Sequence, residues 1–376
     1  RSDGGRAAEI RGARPLAKIT ILGAGVMGSA FAIPAVDNGH TVHLVGTHLD
    51  DAWVDSVAAT GWHPKLRCHL PAGIRAFRND QLAEAIGADT DLICLGVNSA
   101  GIEWGADRLC QVLDRDHRVI MITKGLRPHA EGFETFPALV ANKLLAVSLT
   151  DSPVAAVAGP CIAGELAARR ESGVVFTHSD QAYLDWLRGV FANDRYYFVR
   201  TSTDVDGVEA CAAWKNFYAL AIGVPRGYLD VRPAAENAAD MHNPTANLFA
   251  QAITEMRVLT EFMGGSVENV LSMPGTGDLY VTCQGGRNSR MGRRLGAGEL
   301  YSEVMAGPMQ GETVEGAELA LAIGPTLDRL CDDGRLPARQ LPLARAVVRA
   351  ISQDQPLDLP WQAFYTGPPP APTART

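Results

Sequence analysis

A short apolar run that turns on spaced glycines into a small-residue helix leaves a chain few choices of fold, and Lys18–Asp50 has that form. Lys18-Ile19-Thr20-Ile21-Leu22 reads as a strand and meets Gly23-Ala24-Gly25-Val26-Met27-Gly28 with no spacer, and a helix follows at once. Gly23 allows the tight turn out of the strand, Gly25 lets a pyrophosphate approach bare backbone, and Gly28 lets the helix lie close against the sheet. The anion then meets unpaired N–H groups at the positive end of the helix dipole. A glycine-rich turn without a ligand shares this pattern. Context favours the dinucleotide: Gly39 is placed to stop the helix, and Thr41-Val42-His43-Leu44-Val45 reads as the second strand of a βαβ unit. Pro34 must bend the helix or sit in its opening turns. The expected cofactor contacts here are Gly23, Gly25, Val26, Met27 and Gly28.

The tip of the second strand is where NAD and NADP are told apart, because an acidic residue there binds the ribose 2′-OH. Here the tip is Gly46-Thr47-His48, with Asp50 and Asp51 slightly later. Neutral Thr47 and protonatable His48 tolerate a 2′-phosphate, yet no arginine sits beside them in sequence. The cofactor is read as NAD(P), leaning to NADP.

A chain of 376 residues is too long for one ordinary core and predicts two domains. With 34 Lys+Arg against 42 Asp+Glu, the net charge of −8 opposes nonspecific attraction to DNA or anionic membranes, so nucleic acid is excluded as a partner. No run has the length of a transmembrane helix and no apolar signal region opens the chain, which makes a cytoplasmic protein the simplest expectation. The seven cysteines are scattered, with no CxxC pair or His-linked spacing, so reduced thiols and no metal site are expected.

Residues 1–16 read as a loose leader. Leu92–Val97, Val119–Thr123 and Val154–Ala158 are continuous apolar runs, as parallel strands covered on both faces require. They end in Asn98-Ser99, Lys124 and Gly159-Pro160, and ligands gather at the carboxyl ends of such strands. After Tyr196–Arg200 the alternation fades, and Val208–Ile222, Ala246–Met263, Glu312–Ile323 and Leu343–Ile351 carry helical spacing. The fold class is therefore an α/β doubly wound sheet of Rossmann type over residues 17–202, followed by an all-α catalytic domain over 203–365 and a proline-rich tail over 366–376.

Two segments carry chemistry. Lys215 lies in Glu209–Leu220, a helix otherwise nearly devoid of charge, with Cys211, Ala212, Tyr218 and Ala219 three and four residues away. Such a lysine either snorkels to solvent or serves as a general acid, since desolvation lowers the pKa of an amine. In Gly275–Asn288, glycines on both sides of Asp278 predict a turn that projects the carboxylate, and Gly285-Gly286 expose N–H groups beside Arg287. Arg287 offers a fork of donors to a phosphate and Asn288 an additional amide, while Asp278 orients Lys215 or accepts a substrate hydroxyl. The plainer alternative is a capped loop with a surface Arg–Asp pair.

Taken together these segments resemble the NAD(P)-dependent glycerol-3-phosphate dehydrogenases. The resemblance rests on Gly23–Gly28, Lys124-Gly125-Leu126, Gly159–Glu165, Lys215-Asn216, Gly277-Asp278-Leu279 with Thr282-Cys283, Arg287-Asn288 and Val314-Glu315-Gly316, in family order from about Lys18 to Ile351. It implies reversible reduction of dihydroxyacetone phosphate to glycerol 3-phosphate. Lys215 would be the proton donor, with Asp278 and Lys124 holding the amine and the substrate oxygens in line. The implied substrate contacts are Lys124, Gly159, Cys161, Lys215, Asp278, Thr282, Gly286, Arg287 and Asn288. Beyond the glycine turn, the implied cofactor contacts are Thr47, His48, Lys124, Ala163, Arg287 and Glu315. A homodimer is also implied. Departures from the family pattern at Asn98, Cys161, Trp214 and Thr276, and a longer polar stretch at Val224–Asn243, leave two alternatives: a dehydrogenase of a longer phosphorylated polyol or ketose with a lid in that stretch, and a catalytically idle nucleotide-binding sensor.

Overall fold

The structure, a computed structural model, describes residues 16–114, 117–149, 154–232 and 235–366. Most of the expected leader and of the proline-rich tail lie outside them. The first half builds one eight-stranded sheet from β1 (Lys18–Leu22), β2 (Thr41–Val45), β3 (Ile74–Phe77), β4 (Leu92–Leu95), β5 (Arg118–Met121), β6 (Ala155–Ala158), β7 (Ser172–Thr177) and β8 (Tyr197–Ser202). In space the order is β8-β7-β6-β5-β4-β1-β2-β3, with every neighbouring pair parallel except β6 with β7. Helices α1 (Val26–Asp37), α2 (Asp51–Thr60), α3 (Ile102–Val112), α4 (Phe136–Ala146) and α5 (Gln181–Phe191) make the connections between strands. β4 and β6 are buried at every residue, which accounts for their unbroken apolar sequences. The chain moves outward from β1 to β3, then returns to β4 on the other side of β1. That reversal opens a crevice at the strands' carboxyl ends.

Pro34 sits in the last turn of α1 rather than in its opening turns, so the helix goes without one backbone bond there. Two small strand pairs, Trp62–His63 with Cys68–His69 and Leu126–His129 with Gly132–Thr135, stand apart from the main sheet.

From Asp204 onward the described residues form helices and their connections. Among them are α6 (Val205–Val231), α7 (His242–Phe262), α8 (Asp278–Cys283), α9 (Arg287–Gly296), α10 (Glu315–Asp332) and α11 (Pro342–Ser352). α6 is buried on nearly every face because the others pack round it. It runs on through Pro225 to Val231, so the first part of the Val224–Asn243 stretch, expected to be a lid or loop, is helix. There Asp230 binds Arg293 of α9 through two bonds of 2.6 Å. α6 and α9 meet backbone to backbone: a Cβ on Gly292 would lie 1.9 Å from the Leu220 carbonyl oxygen, and one on Gly227 2.0 Å from that of Arg293.

Glu255 of α7 is fully buried and joins three helices. It accepts hydrogen bonds from Tyr218 Oη at 3.0 Å, Gln251 Nε2 at 2.8 Å, and the N–H groups of Leu343 and Ala344 at 2.7 Å each. Among the described residues no helix is long and apolar enough to cross a membrane, and no cluster of His, Cys, Asp or Glu could hold a metal ion.

Candidate active site

The glycine turn is shaped by contact rather than by flexibility alone. A Cβ on Gly28 would lie 2.1 Å from the Gly23 carbonyl oxygen, which is the close helix approach expected of that position. Gly25, by contrast, faces open space within 4 Å, so its backbone is bare to a ligand. The residues present therefore fit a diphosphate. A support absent from the sequence reading is His63, fully buried, whose Nε2 donates to the Ala24 carbonyl at 2.9 Å while Nδ1 accepts the Leu66 N–H at 3.0 Å. It reaches the turn from 39 residues away, a distance no local motif signals.

At the tip of β2, Asp50 is buried and turned inward, accepting both the N–H and the hydroxyl of Thr47 at 2.9 Å. It is thus committed within its own turn. His48 is exposed and lies edge-on to Trp104. The sequence shows no arginine beside this tip, but the sheet brings one near: Gly46 N–H donates to the Phe77 carbonyl, and Arg78 follows. Its guanidinium is held by Asp55.

Across the crevice, α6 presents Lys215. The lysine is buried, and Nζ donates to Asp278 Oδ1 at 2.6 Å. The other carboxylate oxygen, Oδ2, accepts the Gly159 N–H at 3.3 Å from the end of β6. Gly159 has φ +126°, and a side chain there would press on β7, 3.0 Å from the Gly173 carbonyl oxygen. Asp278 itself is not on a glycine turn. Met273–Gly277 forms a single π-helical turn that leads directly into α8, so the carboxylate stands in the first turn of a helix, where the dipole favours negative charge. Cys161, two residues past Gly159, keeps a neutral thiol because burial pushes it up to about 11.

The phosphate-binding expectation falls on the start of α9. Gly286 caps that helix with φ +92°, and Gly285 and Gly286 both face open space. Arg287 is exposed beside them and pairs with Glu315 at 3.7 Å, not with Asp278 as the plainer sequence alternative had it. Asn288 is already occupied: Nδ2 donates to Asn216 Oδ1 at 3.1 Å and Oδ1 accepts the Gly316 N–H at 2.9 Å. Asn216 in turn donates to Glu315 at 2.8 Å. Asn216 therefore links α6, α9 and α10 directly behind the lysine, a role foreshadowed only by its place in the Lys-Asn pair. Thr282 spends its hydroxyl on the Asp278 carbonyl one turn back, at 2.7 Å.

A cavity of about 550 Å³ runs between the two halves, lined by Ser99, Lys124, Phe136, Ala213, Asn216 and Glu315 among others. Lys124, at the carboxyl end of β5, donates to the Ile122 carbonyl at 3.3 Å, and Ser99 crosses the cavity to bond Glu318 at 2.9 Å. Ala163 opens a short helix beside Gly164, which faces open space.

Comparison with known proteins decides the family. A sequence model described as the NAD-dependent glycerol-3-phosphate dehydrogenase N-terminus matches residues 18–184, and its C-terminal counterpart matches 204–360. The chain belongs to the NAD-dependent glycerol-3-phosphate dehydrogenase family. Within this family, an NADP(+)-dependent glycerol-3-phosphate dehydrogenase of Archaeoglobus fulgidus is 34% identical over 76% of this chain and 82% of its own length. A glycerol-3-phosphate dehydrogenase [NAD(P)+] of Halorhodospira halophila is 28% identical over 90% of this chain and 94% of its own. The crystal structure of the glycerol-3-phosphate dehydrogenase of Coxiella burnetii aligns with a TM-score of 0.72 at 26% identity, over 93% of this chain and 98% of that one. The α/β sheet followed by a helical half is thus the architecture of glycerol-3-phosphate dehydrogenases.

Proposed function

We propose that this family member interconverts dihydroxyacetone phosphate and sn-glycerol 3-phosphate with NAD(P)H. The observation that carries the reading is the buried Lys215–Asp278 pair, at 2.6 Å, anchored to the end of β6 through Gly159. The bound nicotinamide would supply or accept the hydride at the substrate's C2. In reduction, the Lys215 ammonium gives its proton to the C2 oxygen, and in oxidation the amine takes it back. Asp278 fixes the direction of the amine and Gly159 fixes Asp278. Lys124 bears on the substrate oxygens, with the neutral Cys161 thiol at the rim. Arg287 and the free N–H groups at the start of α9, beside bare Gly286, suit the phosphate. Thr282 and Asn288 act there through the backbone they brace.

The cofactor is held at Gly23, Gly25, Val26, Met27, Gly28, Thr47, His48, Lys124, Ala163, Arg287 and Glu315. Asp50, spent on Thr47, leaves no inward carboxylate free for a ribose 2′-OH, and the Archaeoglobus relative bears an NADP name; both support the lean to NADP. The division into a dinucleotide-binding domain over 17–202 and a catalytic domain over 203–365 rests on where the alternation of strand and helix fades, a cytoplasmic location on the simplest reading of the sequence, and a homodimer on the family resemblance. The longer-polyol alternative loses support because part of its lid is helix, and the sensor alternative because the lysine–carboxylate pair is intact.

A steady-state assay with dihydroxyacetone phosphate, run in parallel with NADH and NADPH, tests the reading. Substrate-dependent oxidation is expected, faster with NADPH. Cofactor binding without turnover on any three- to five-carbon keto-phosphate would instead leave the sensor. Arg287→Ala is expected to raise the KM for dihydroxyacetone phosphate roughly 10- to 100-fold, since a charge-assisted phosphate bond is worth about 1.5–3 kcal/mol, with a smaller effect on kcat. An unchanged KM would remove Arg287 from the phosphate site.

A further inference from the structure

Glu209 of α6 is fully buried, and neither carboxyl oxygen has a hydrogen-bond partner among the described residues. Buried acids are ordinarily paired, so an orphan of this kind marks a group whose partner comes and goes. Its place is informative. Glu209, Ala213 and Asn216 share one face of α6 at helical spacing, and Ala213 and Asn216 line the cavity together with Lys124. Glu209 therefore lies one turn beyond the cavity wall.

The charges around it are few. Lys124, arriving from β5, acts on Glu209 favourably, and Asp206 on its own helix unfavourably. Asp204 is spent on Gly207, Ser266 and Asn269. Asp278 is spent on Lys215, Glu255 on its own four donors, and Arg257 faces Glu261. Lys124 has no carboxylate bonded to it among the described residues; its one bond, to the Ile122 carbonyl, is long. A buried carboxyl without a cation and an ammonium without an anion thus share one interior.

We propose that Glu209 is a positioning residue for Lys124, a buried countercharge that draws the ammonium inward when ionised and leaves it to the substrate's oxygens when neutral. The proposal rests on the reading of Lys124 as a substrate contact. Burial pushes Glu209 up to about 8, with Lys124 pulling it partly back, so the exchange falls at mildly alkaline pH. The sign follows. Below that range Glu209 is neutral and Lys124 is free to bind substrate. Above it, the pair forms and substrate binding weakens.

The experiment compares wild type with Glu209→Gln. Between about pH 7.5 and about pH 9, the KM for dihydroxyacetone phosphate should rise ~3- to 10-fold in wild type and stay nearly flat in Glu209→Gln, with kcat changed less than about twofold. Parallel KM profiles in the two proteins, or an equal loss of kcat and KM with a lowered Tm, overturn the proposal. A second measurement needs no turnover. The part of the carboxylic-acid infrared band that Glu209→Gln lacks, and that is therefore not due to Glu255, should titrate near the KM transition in wild type, and its midpoint should move to higher pH in Lys124→Met, because a cation that stabilises the carboxylate has been removed. An unshifted midpoint also overturns it. Wild-type protein that fails to turn over dihydroxyacetone phosphate defeats the functional reading instead, and the infrared titration still decides the Glu209–Lys124 coupling.

Discussion

In Lys215→Met, the kcat for dihydroxyacetone phosphate reduction is expected to fall roughly 10²- to 10⁴-fold, the usual range for losing a positioned general acid. Methionine keeps the length and much of the volume of lysine, so α6 should pack as before, and Asp278 keeps its bond to the Gly159 N–H. What disappears is the ammonium held against the carboxylate at 2.6 Å. Cofactor binding, measured by nicotinamide fluorescence, should be nearly unchanged, because Gly23–Gly28 lies on the α/β half and Lys215 on the helical half. The comparison separates chemistry from assembly of the site. A kcat within tenfold of wild type would mean that the proton reaches C2 from elsewhere.

The second large effect concerns stability. Glu255→Ala is expected to lower unfolding free energy by about 3–4 kcal/mol, read from denaturant midpoints, since it orphans several buried donors and leaves a void. Two of those donors are backbone N–H groups in the first turn of α11, so the side chain serves as that helix's cap from a different helix. The pH dependence has a definite sign. Burial is the largest influence and pushes Glu255 up to about 7, against the opposing hydrogen bonds. Its folded pKa exceeds its unfolded one, so its contribution is full below about pH 4.5 and is lost as pH rises through about 7. Glu255→Gln should flatten that decline. A midpoint for Glu255→Ala equal to wild type would show that α11 is not held by this residue.

The sheet and the glycine turn were legible because period and punctuation are local: β1, the turn, α1 and β2 follow within 28 residues, from Lys18 to Val45. Lys215 was legible because a charge stands out in an apolar helix. Asp278 was legible as a residue but not as a conformation. Glycines on both sides signal a turn by propensity, yet Gly275 is packed against Val270, where a Cβ would meet the carbonyl oxygen at 2.2 Å, and that contact holds the segment in a π turn. Val224–Val231 misled for the same reason. Its proline and charges read as loop, whereas close approach to α9 keeps it helical. His63, Asn216 and Glu255 act across 39, 99 and 89 residues of sequence, and no spacing encodes such partners.

The glycine-lined crossing of α6 and α9 bears on which molecules the enzyme accepts. Lys215 rides on one of these helices and Arg287 begins the other, and main chains already in contact cannot close up on a shorter carbon skeleton. On the proposed reading, the pair sets a lower limit to the span between carbonyl and phosphate. With Lys215 and Arg287 in the roles proposed above, the span between them depends on Gly227 and Gly292, and enlarging either glycine should change which substrate length is accepted.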